Sequence, residues 1–455
     1  MPCTCLTSDL KPVISRGPRI FCFRLSCGRP PRRGKNISTW GWASTPGSRS
    51  LKRSGEAKPF SPMTFACTIR QEKDFWRCFS ADYEVIEAMI EKLFGRFLQK
   101  SKRRPFSTWQ IELTTRCPLL CKMCIRSENS DWQFQDMPFE DFKKILPHLK
   151  DVETVVLEGW GESLLHKDLS ECIRLVKKEG SKVGFVTSGM GLTKNRVSEL
   201  IEAGIDFVGF SIAGTTPETH DAIRVNSHLP EVLYAIRLFQ EEQKHRGLLR
   251  PKMHLIFLMV KDNIHEVPSV PSFTKEAGLE EVILTNICHT INIWQETQRV
   301  FVWGNVRNQY EELVKQAEIN ARKLKIRIKR PNLSAIDVPV CAENPFGSLY
   351  ISAEGEVSPC VYLYPPLPSP FKRIFCEKEY RTDQVSFGNI FREPFSTIWN
   401  GSNYDAFRNR FREREKTYRD LYFSLLDSPR LRSPEASAFP EPPEPCKSCH
   451  KILGI

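Results

Sequence analysis

The stretch that decides the fold is residues 109–126, WQIELTTRCPLLCKMCIR. A strand-like run, residues 109–113, leads through two threonines into Cys117, Cys121 and Cys124, which have the spacing Cys-x3-Cys-x2-Cys. Three soft thiolates on one tight loop suit an iron–sulfur cluster or a zinc ion, but they are one ligand short of closing either site. A 4Fe–4S cluster held here would keep one iron free for a ligand that is not protein.

Short apolar strands alternate with amphipathic helices from residue 109 onward. The predicted strands are residues 109–113, 154–158, 182–186, 207–212, 254–259 and 281–284. The predicted helices are residues 138–147, 168–179, 194–203, 229–245, 265–277 and 307–323. Six such units predict an α/β fold in which a parallel sheet curls into a partial (β/α)6 TIM-like barrel. Sites in such sheets gather at the carboxyl ends of the strands, and the cysteine loop follows the first strand.

The next three strands also end in distinctive motifs, EGWGESLLH (158–166), TSG (187–189) and SIAGTTPETHDAIR (211–224). Together with the cysteine loop, these motifs resemble those of the radical S-adenosylmethionine (SAM) enzymes. In that family the turn after the second strand reads Gly-Gly-Glu-Pro. Gly161 and Glu162 match this pattern, whereas Trp160 and Ser163 depart from it, and Ala213 replaces an Asp that is usual after the fourth strand.

The resemblance implies a 4Fe–4S cluster on Cys117, Cys121 and Cys124, with SAM on the open iron. Reductive cleavage of SAM would give a 5′-deoxyadenosyl radical that abstracts hydrogen from a substrate. In the family, the turn after strand two binds the amino group of SAM, a Ser after strand four binds the ribose or carboxylate, and an Arg pairs with the carboxylate. The SAM-binding residues implied here are Trp160, Gly161, Glu162, Ser188, Ser211, Arg224 and, against adenine, Met123. Residues 215–218 also read as a helix capping box, which is compatible with this role.

Four further cysteines, Cys341, Cys360, Cys446 and Cys449, lie near the C-terminus. SLYISAEGEVSPC (348–360) predicts a β-hairpin, and FGNI and IWN precede a predicted helix, 403–416. This order resembles the auxiliary-cluster extension known as SPASM or twitch, and implies a second 4Fe–4S cluster that assists electron transfer. Structural zinc suits the same four thiolates and stays open as the alternative.

Composition limits the classes of function. The formal net charge is +12, but residues 1–62 carry twelve Lys and Arg against two Asp and Glu, so most of the excess is in this Pro-, Gly- and Ser-rich segment. We therefore expect no nucleic-acid partner for the main body. No run of about eighteen apolar residues is present, so no membrane partner is expected. Sixteen cysteines without a secretory signal predict a reducing compartment, the cytoplasm.

These patterns predict four parts of the chain. Residues 1–79 are expected to be a disordered basic extension, for which a translation start at Met63 or Met89 is favoured over a targeting arm. An amphipathic helix and linker (80–104), the radical SAM core (105–330) and a small α+β iron–sulfur domain (331–455) follow, with loops at 361–386 and 417–445.

The resemblance also implies partners: SAM, a reductant such as flavodoxin or ferredoxin, and a peptide, protein or small-molecule substrate. The alternative from another class is a non-catalytic iron–sulfur electron carrier or a zinc-stabilised binding protein.

Overall fold

The computed structural model describes residues 104–303, 306–427 and 439–455. The predicted basic extension, residues 1–79, and nearly all of the predicted helix and linker, residues 80–104, lie outside the described residues. The sheet and both cysteine patterns lie inside them.

The centre of the fold is a parallel sheet whose first six strands pair in chain order. They are β1 (Phe106–Ile111), β2 (Val152–Val156), β3 (Lys182–Thr187), β4 (Phe207–Ile212), β5 (Lys252–Met259) and β6 (Glu281–Asn286). All five pairings among them are parallel. The α/β fold and the parallel order predicted from the alternating pattern are therefore confirmed.

Helices connect these strands and continue into the C-terminal part. They are α1 (Phe139–Leu149), α2 (Leu169–Lys178), α3 (Lys194–Glu202), α4 (Pro217–Ile223), α5 (Leu229–Arg246), α6 (Val270–Glu276), α7 (Ile293–Thr297), α8 (Glu311–Leu324), α9 (Phe395–Asn400) and α10 (Ser402–Asp427). The helix expected at 265–277 begins as a 3-10 helix, Ile264–Ser269, and becomes α-helical only at Val270. Pro268 and Pro271 lack the N–H groups that a continuous α-helix needs there. α4 was not among the helices predicted from periodicity, although residues 215–218 were read as a helix capping box. The structure places the cap one residue later, at Thr216, whose hydroxyl accepts from the N–H of Thr219. α8 begins four residues later than expected.

The remaining strands are β7 (Val302–Trp303), β8 (Arg327–Lys329), β9 (Ser334–Ala335), β10 (Ser348–Ile351), β11 (Val357–Ser358), β12 (Phe371–Phe375) and β13 (Lys378–Thr382). The predicted hairpin is β10–β11, and β10 also pairs with β1 in parallel, Trp109 opposite Leu349. The hairpin therefore continues the barrel sheet, which runs β11-β10-β1-β2-β3-β4-β5-β6-β8.

Two segments expected to be loops are partly regular. Residues 361–386 contain the antiparallel hairpin β12–β13, and the first part of 417–445 belongs to α10. Both elements are polar along much of their length, so they lack the apolar periodicity on which a prediction depends.

Apolar side chains from the strands and helices form one continuous core on the sheet. Trp109, Phe185, Phe210 and Phe257 are fully buried in it. Burial of a large apolar side chain contributes about 1.5–3 kcal/mol, so these strands hold the loops at their carboxyl ends on a rigid base. None of the helices in the described residues is both long enough and apolar enough to cross a membrane.

Candidate functional site

The cysteine loop follows β1 and is fastened to the segment at the end of α4. The backbone N–H groups of Leu120 and Lys122 donate to the carbonyl oxygens of Val225 and Ile223, at 2.9 and 3.0 Å. Within the loop, the N–H of Cys124 donates to the carbonyl of Cys121 at 3.0 Å. The loop is therefore a defined turn that presents the three predicted cysteines together at one end of the sheet.

Burial disfavours thiolates in this loop, and two nearby arginines oppose that effect. Burial raises the pKa of the Cys117 thiol to about 12 and also raises that of Cys124. The guanidinium groups of Arg126 and Arg224 act in the opposite direction on the pKa of Cys124. The Nε atoms of both arginines are buried and find no hydrogen-bond partner among the described residues. Buried donors of this kind are costly unless a ligand pairs with them, so the loop fits a thiolate-bound cluster or a carboxylate.

The turn after β2 packs directly on the backbone of the cysteine loop. The N–H of Glu162 donates to the carbonyl of Arg116 at 2.7 Å. A Cβ atom on Gly161 would overlap the carbonyl oxygens of Thr114 and Arg116. Only glycine allows this approach, so the Gly161-Glu162 pair lies against the cysteine loop, as the radical SAM pattern implied.

The side chain of Glu162 is occupied by a neighbouring strand end. Its carboxylate accepts hydrogen bonds from the hydroxyl groups of Thr187 and Ser188, at 2.9 and 2.8 Å, and from the backbone N–H of Ser188 at 2.8 Å. Two predicted site residues, Glu162 and Ser188, thus bind each other. The turn offers its backbone to a ligand, while this carboxylate fixes the turn to the end of β3.

The other predicted SAM residues are distributed around the same end of the sheet. Met123 packs on an apolar cluster formed by Ala213, Ile223, Leu258 and Val260. Ser211 lies within β4, opposite Ile256 of β5, and is half-buried. The indole of Trp160 turns toward an aromatic group, with Trp132, His289 and Tyr362 at centroid distances of 6.1, 5.7 and 6.4 Å.

One buried carboxylate at this end was not singled out from the sequence. Glu112 accepts a hydrogen bond from the N–H of Trp160 at 2.6 Å and another from the hydroxyl of Tyr350 at 2.7 Å. The available signal was a charged residue inside an otherwise apolar strand end, IEL. Such a residue is expected to be paired when it is buried.

The four C-terminal cysteines come together although up to 108 positions separate Cys341 from Cys449. Cys341, Cys360, Cys446 and Cys449 line one pocket. The N–H of Cys449 donates to the carbonyl of Cys446 at 3.1 Å, the same turn that joins Cys121 and Cys124. A shared pocket lined by four thiols has the donor set of a closed 4Fe–4S or zinc site.

Burial in this pocket favours the neutral thiol form of Cys341, Cys360 and Cys446. Burial raises the pKa of Cys341 to about 12 and raises those of Cys360 and Cys446 well above the ordinary range, and neighbouring cysteines add to the effect. No group of three or more Cys, His, Asp or Glu side chains in the described part of the chain is arranged as a ready metal site. Metal binding would deprotonate the thiols and draw them together.

The three remaining described cysteines differ in their surroundings. Cys172 is buried in the core on α2, and Cys376 is exposed between β12 and β13. Cys288 follows β6. Burial raises the pKa of its thiol, while the charge of Lys451 lowers that pKa and the charge of Cys449 raises it. Cys172 and Cys376 therefore belong to neither cysteine site, whereas Cys288 borders the second one.

Family models match both the barrel part and the C-terminal part of the chain. The sequence model described as "Radical SAM superfamily" matches residues 111–270, and the SPASM model, described as "Iron-sulfur cluster-binding domain", matches residues 341–421. The first range contains Cys117, Cys121 and Cys124. The second contains Cys341 and Cys360, whereas Cys446 and Cys449 lie beyond its end.

Two curated relatives cover two thirds of the chain. A Pyrococcus furiosus protein named "Tungsten-containing aldehyde ferredoxin oxidoreductase cofactor-modifying protein" is 26% identical over 305 residues, 66% of this chain and 82% of the relative. A "PqqA peptide cyclase" from Streptomyces rochei is 25% identical over 317 residues, 66% of this chain and 77% of the relative. The structure of Streptococcus suis SuiB bound to S-adenosylmethionine aligns with a TM-score of 0.48 at 14% identity, over 72% of this chain and 73% of SuiB.

The two matched domains imply SAM and 4Fe–4S clusters as cofactors. Cys117, Cys121 and Cys124 lie near the start of the first match and Cys341 and Cys360 near the start of the second, and the Gly161-Glu162 turn lies inside the first match. The chain carries a radical SAM domain followed by a SPASM iron–sulfur domain.

Proposed function

We propose that the protein cleaves SAM reductively and uses the 5′-deoxyadenosyl radical to abstract hydrogen from a peptide, protein or small-molecule substrate. The observation that carries the proposal is the contact between the Gly161-Glu162 turn and the backbone of the cysteine loop at Arg116. An electron carrier needs no such turn beside its cysteines. The contact supports a SAM-binding role for this turn beside the three cysteines, whose 4Fe–4S cluster would have one iron free.

Different residues would bind the first cluster and SAM. Cys117, Cys121 and Cys124 would hold a 4Fe–4S cluster, which supplies one electron to break the sulfonium C–S bond of SAM. The buried Nε of Arg224 is available to pair with the SAM carboxylate. Met123 offers apolar contact to adenine from the cluster that it forms with Ala213 and its neighbours.

The turn and the neighbouring strand ends would orient the methionine end of SAM. The backbone of residues 160–162 faces the amino group in this proposal, while Glu162 and Ser188 keep the turn in place through their hydrogen bonds. Ser211, which is half-buried in β4, would contact the ribose or the carboxylate.

We further propose that Cys341, Cys360, Cys446 and Cys449 hold a second 4Fe–4S cluster. With four thiolate ligands that cluster has no free iron, so its role is electron transfer and not binding of substrate. The pocket that the four cysteines line supports a closed site, and structural zinc is the alternative occupant. Residues 105–330 then form the catalytic core and residues 331–455 the auxiliary part.

The substrate class stays broad. One relative is named for modification of a tungsten-enzyme cofactor and the other for cyclisation of a peptide. A reductant such as flavodoxin or ferredoxin would deliver the electron to the first cluster.

The decisive experiment is anaerobic reconstitution of the full chain, followed by an assay for 5′-deoxyadenosine under reducing conditions. Formation of 5′-deoxyadenosine is expected. Its absence, with the first cluster intact by spectroscopy, would contradict the proposal and leave a non-catalytic iron–sulfur carrier. About eight iron atoms per chain are expected for two 4Fe–4S clusters, whereas about four iron atoms and one zinc would assign zinc to the second site.

A further inference from the structure

Glu112 joins three parts of the chain at the mouth of the barrel. It lies just after β1 and its exposed fraction is 1%. One carboxylate oxygen accepts from the backbone N–H of Trp160, in the turn after β2, and the other accepts from the hydroxyl of Tyr350 in β10. The side chain therefore connects the strand that leads to the cysteine loop, the SAM-type turn and the C-terminal hairpin.

The turn of residues 159–162 packs tightly against the Glu112 side chain. A Cβ atom on Gly159 would overlap the Cβ, Cγ and Oε1 atoms of Glu112. On its other side, Gly161 is pressed against the carbonyl oxygens of the cysteine loop. The turn of residues 159–162 is thus held between the Glu112 side chain and the cysteine loop, with one hydrogen bond to each.

A carboxylate is well suited to this position because it only accepts hydrogen bonds when it is ionised. Each oxygen has a donor at hydrogen-bonding distance, Trp160 for one and Tyr350 for the other, and the backbone of Ala353 adds a further bond to the carboxylate. Charge-assisted bonds of this kind are stronger than neutral ones. Loss of one donor would leave part of a buried charge unpaired, which is costly. A shift of Tyr350 would therefore change the position of Trp160 through the Glu112 side chain that binds both residues.

We propose that Glu112 is a positioning residue for SAM, which fixes the turn of residues 159–162 against the cysteine loop and links its position to Tyr350 of the C-terminal hairpin. The inference rests on the proposed function, since that assigns SAM to this turn. It makes the hairpin of the auxiliary part a determinant of SAM affinity. Tyr350 acts through Glu112, and Glu112 acts through the backbone of Trp160.

Three variants separate this role from a general contribution to folding. Glu112→Gln can keep both links, because its carbonyl accepts from Trp160 and its amide donates to the Tyr350 oxygen. Glu112→Met has a similar length and keeps neither link. Tyr350→Phe removes only the hydroxyl group that donates to the Glu112 carboxylate from the hairpin.

A matched control is available at the opposite end of the sheet. Asp206 is also buried, with an exposed fraction of 5%, and its carboxylate accepts from Lys177 and from the backbone N–H of Val183, at 2.7 and 2.9 Å. It lies directly before β4, at the amino ends of the strands. Asp206→Asn should lower thermal stability without a change in SAM affinity.

The experiment measures the Kd for SAM with the anaerobically reconstituted full chain, without reductant so that SAM stays intact. Iron content and Tm are recorded for every variant. The shift of the cluster's EPR signal on SAM addition, in a separate sample that is reduced and frozen at once, is a second readout. We expect Glu112→Met to weaken SAM binding by on the order of 10- to 100-fold, as for the loss of a hydrogen bond to a charged group. Tyr350→Phe should weaken it by roughly 10-fold, and Glu112→Gln should stay close to the parent protein.

The outcomes are distinguishable. The inference is overturned if Glu112→Met, with the iron content of the parent, binds SAM as the parent does. It is also overturned if the loss of SAM affinity per degree of lowered Tm is the same for Asp206→Asn as for Glu112→Met. If Glu112→Met does not fold, Tyr350→Phe decides, and an unchanged Kd there removes the link to the hairpin. A parent protein that forms no 5′-deoxyadenosine contradicts the proposed function itself.

Discussion

The indole of Trp160 meets the imidazole of His289 edge to face, with 5.7 Å between the ring centroids. Both rings also contact Tyr362, which lines the pocket of the four C-terminal cysteines. A side chain of the SAM-type turn therefore touches the lining of the second cysteine site. The two proposed cofactor sites are therefore connected by aromatic contacts.

Trp160→Ala should destabilise the protein by about 2 kcal/mol, less than a fully buried tryptophan because this one is half-buried. The variant loses the contacts with Trp132, His289 and Tyr362 that join the two cysteine sites. Chemical denaturation of the reconstituted protein measures the change. Trp160→Phe, which keeps an aromatic ring, serves as the control and should recover more than half of the loss. Equal stability of the Ala variant and the parent would contradict the packing described here.

Cys121→Ala should abolish SAM cleavage and remove about four iron atoms per chain, because it deletes one of three ligands of the first cluster. The second cluster should stay, since its four cysteines line a separate pocket. Iron analysis and the assay for 5′-deoxyadenosine measure both effects. Cys376→Ser, at an exposed thiol between two strands, is the matched control and should retain iron and activity. Retention of SAM cleavage by Cys121→Ala would refute the assignment of the cysteine loop.

Gly161→Ala should weaken SAM binding by more than about 10-fold, because the new methyl group overlaps carbonyl oxygens of the cysteine loop and the turn must move away. Equilibrium dialysis with SAM, on protein of matched iron content, measures the effect. Gly247→Ala is the control: its φ of 65° makes Ala unfavourable, yet no atom lies within 4 Å of the added Cβ. It should lose stability by about 1 kcal/mol and keep its affinity for SAM. An unchanged affinity of Gly161→Ala would show that the turn does not contact the ligand.

The stability of the protein should depend on Glu112 between about pH 4.5 and 7. Burial raises the pKa of Glu112 from 4.5 to about 7, with Glu354 adding to the rise, although the bonds from Trp160 and Tyr350 oppose it. In that window the folded state binds more protons than the unfolded state, so the free energy of unfolding falls as the pH rises. The loss should total on the order of 3 kcal/mol.

Denaturation of the parent and of Glu112→Gln, from pH 5 to pH 8, measures this contribution. Gln cannot titrate, so the stability of the parent should fall relative to that of the variant as the pH rises. A difference that stays constant over this range would mean that Glu112 does not change its protonation between the folded and unfolded states.

The sequence was sufficient for the features that depend on local patterns. The six parallel strands lie within a few residues of their predicted places because alternating strands and helices leave a strong periodic signal. Segments without that signal were not predicted from periodicity. α4 is short, and only the capping box read at residues 215–218 pointed to it, whereas the structure has the cap at Thr216. Pro268 and Pro271 were visible, but a single helix was still predicted across them.

Features that depend on distant pairing were not available from local patterns. The hairpin at 348–358 was predicted, but its parallel pairing with β1 joins residues about 240 positions apart. Glu112 was overlooked for the same reason, since both of its donors come from other parts of the chain. The four C-terminal cysteines, which line one pocket in the structure, were grouped because resemblance to a known extension supplied the long-range relation that spacing lacks.

The pairing of β10 with β1 also governs how the chain can fold during synthesis. β1 is the first described strand to leave the ribosome, and β2 protects one of its edges soon afterwards. The other edge stays open until Ser348–Ile351 emerge, and an open edge is a template for association with other chains. A chain that ends before residue 348 would keep that edge exposed permanently. The last quarter of the protein therefore acts as a built-in protector of its first strand, and premature termination should yield aggregates and not a smaller enzyme.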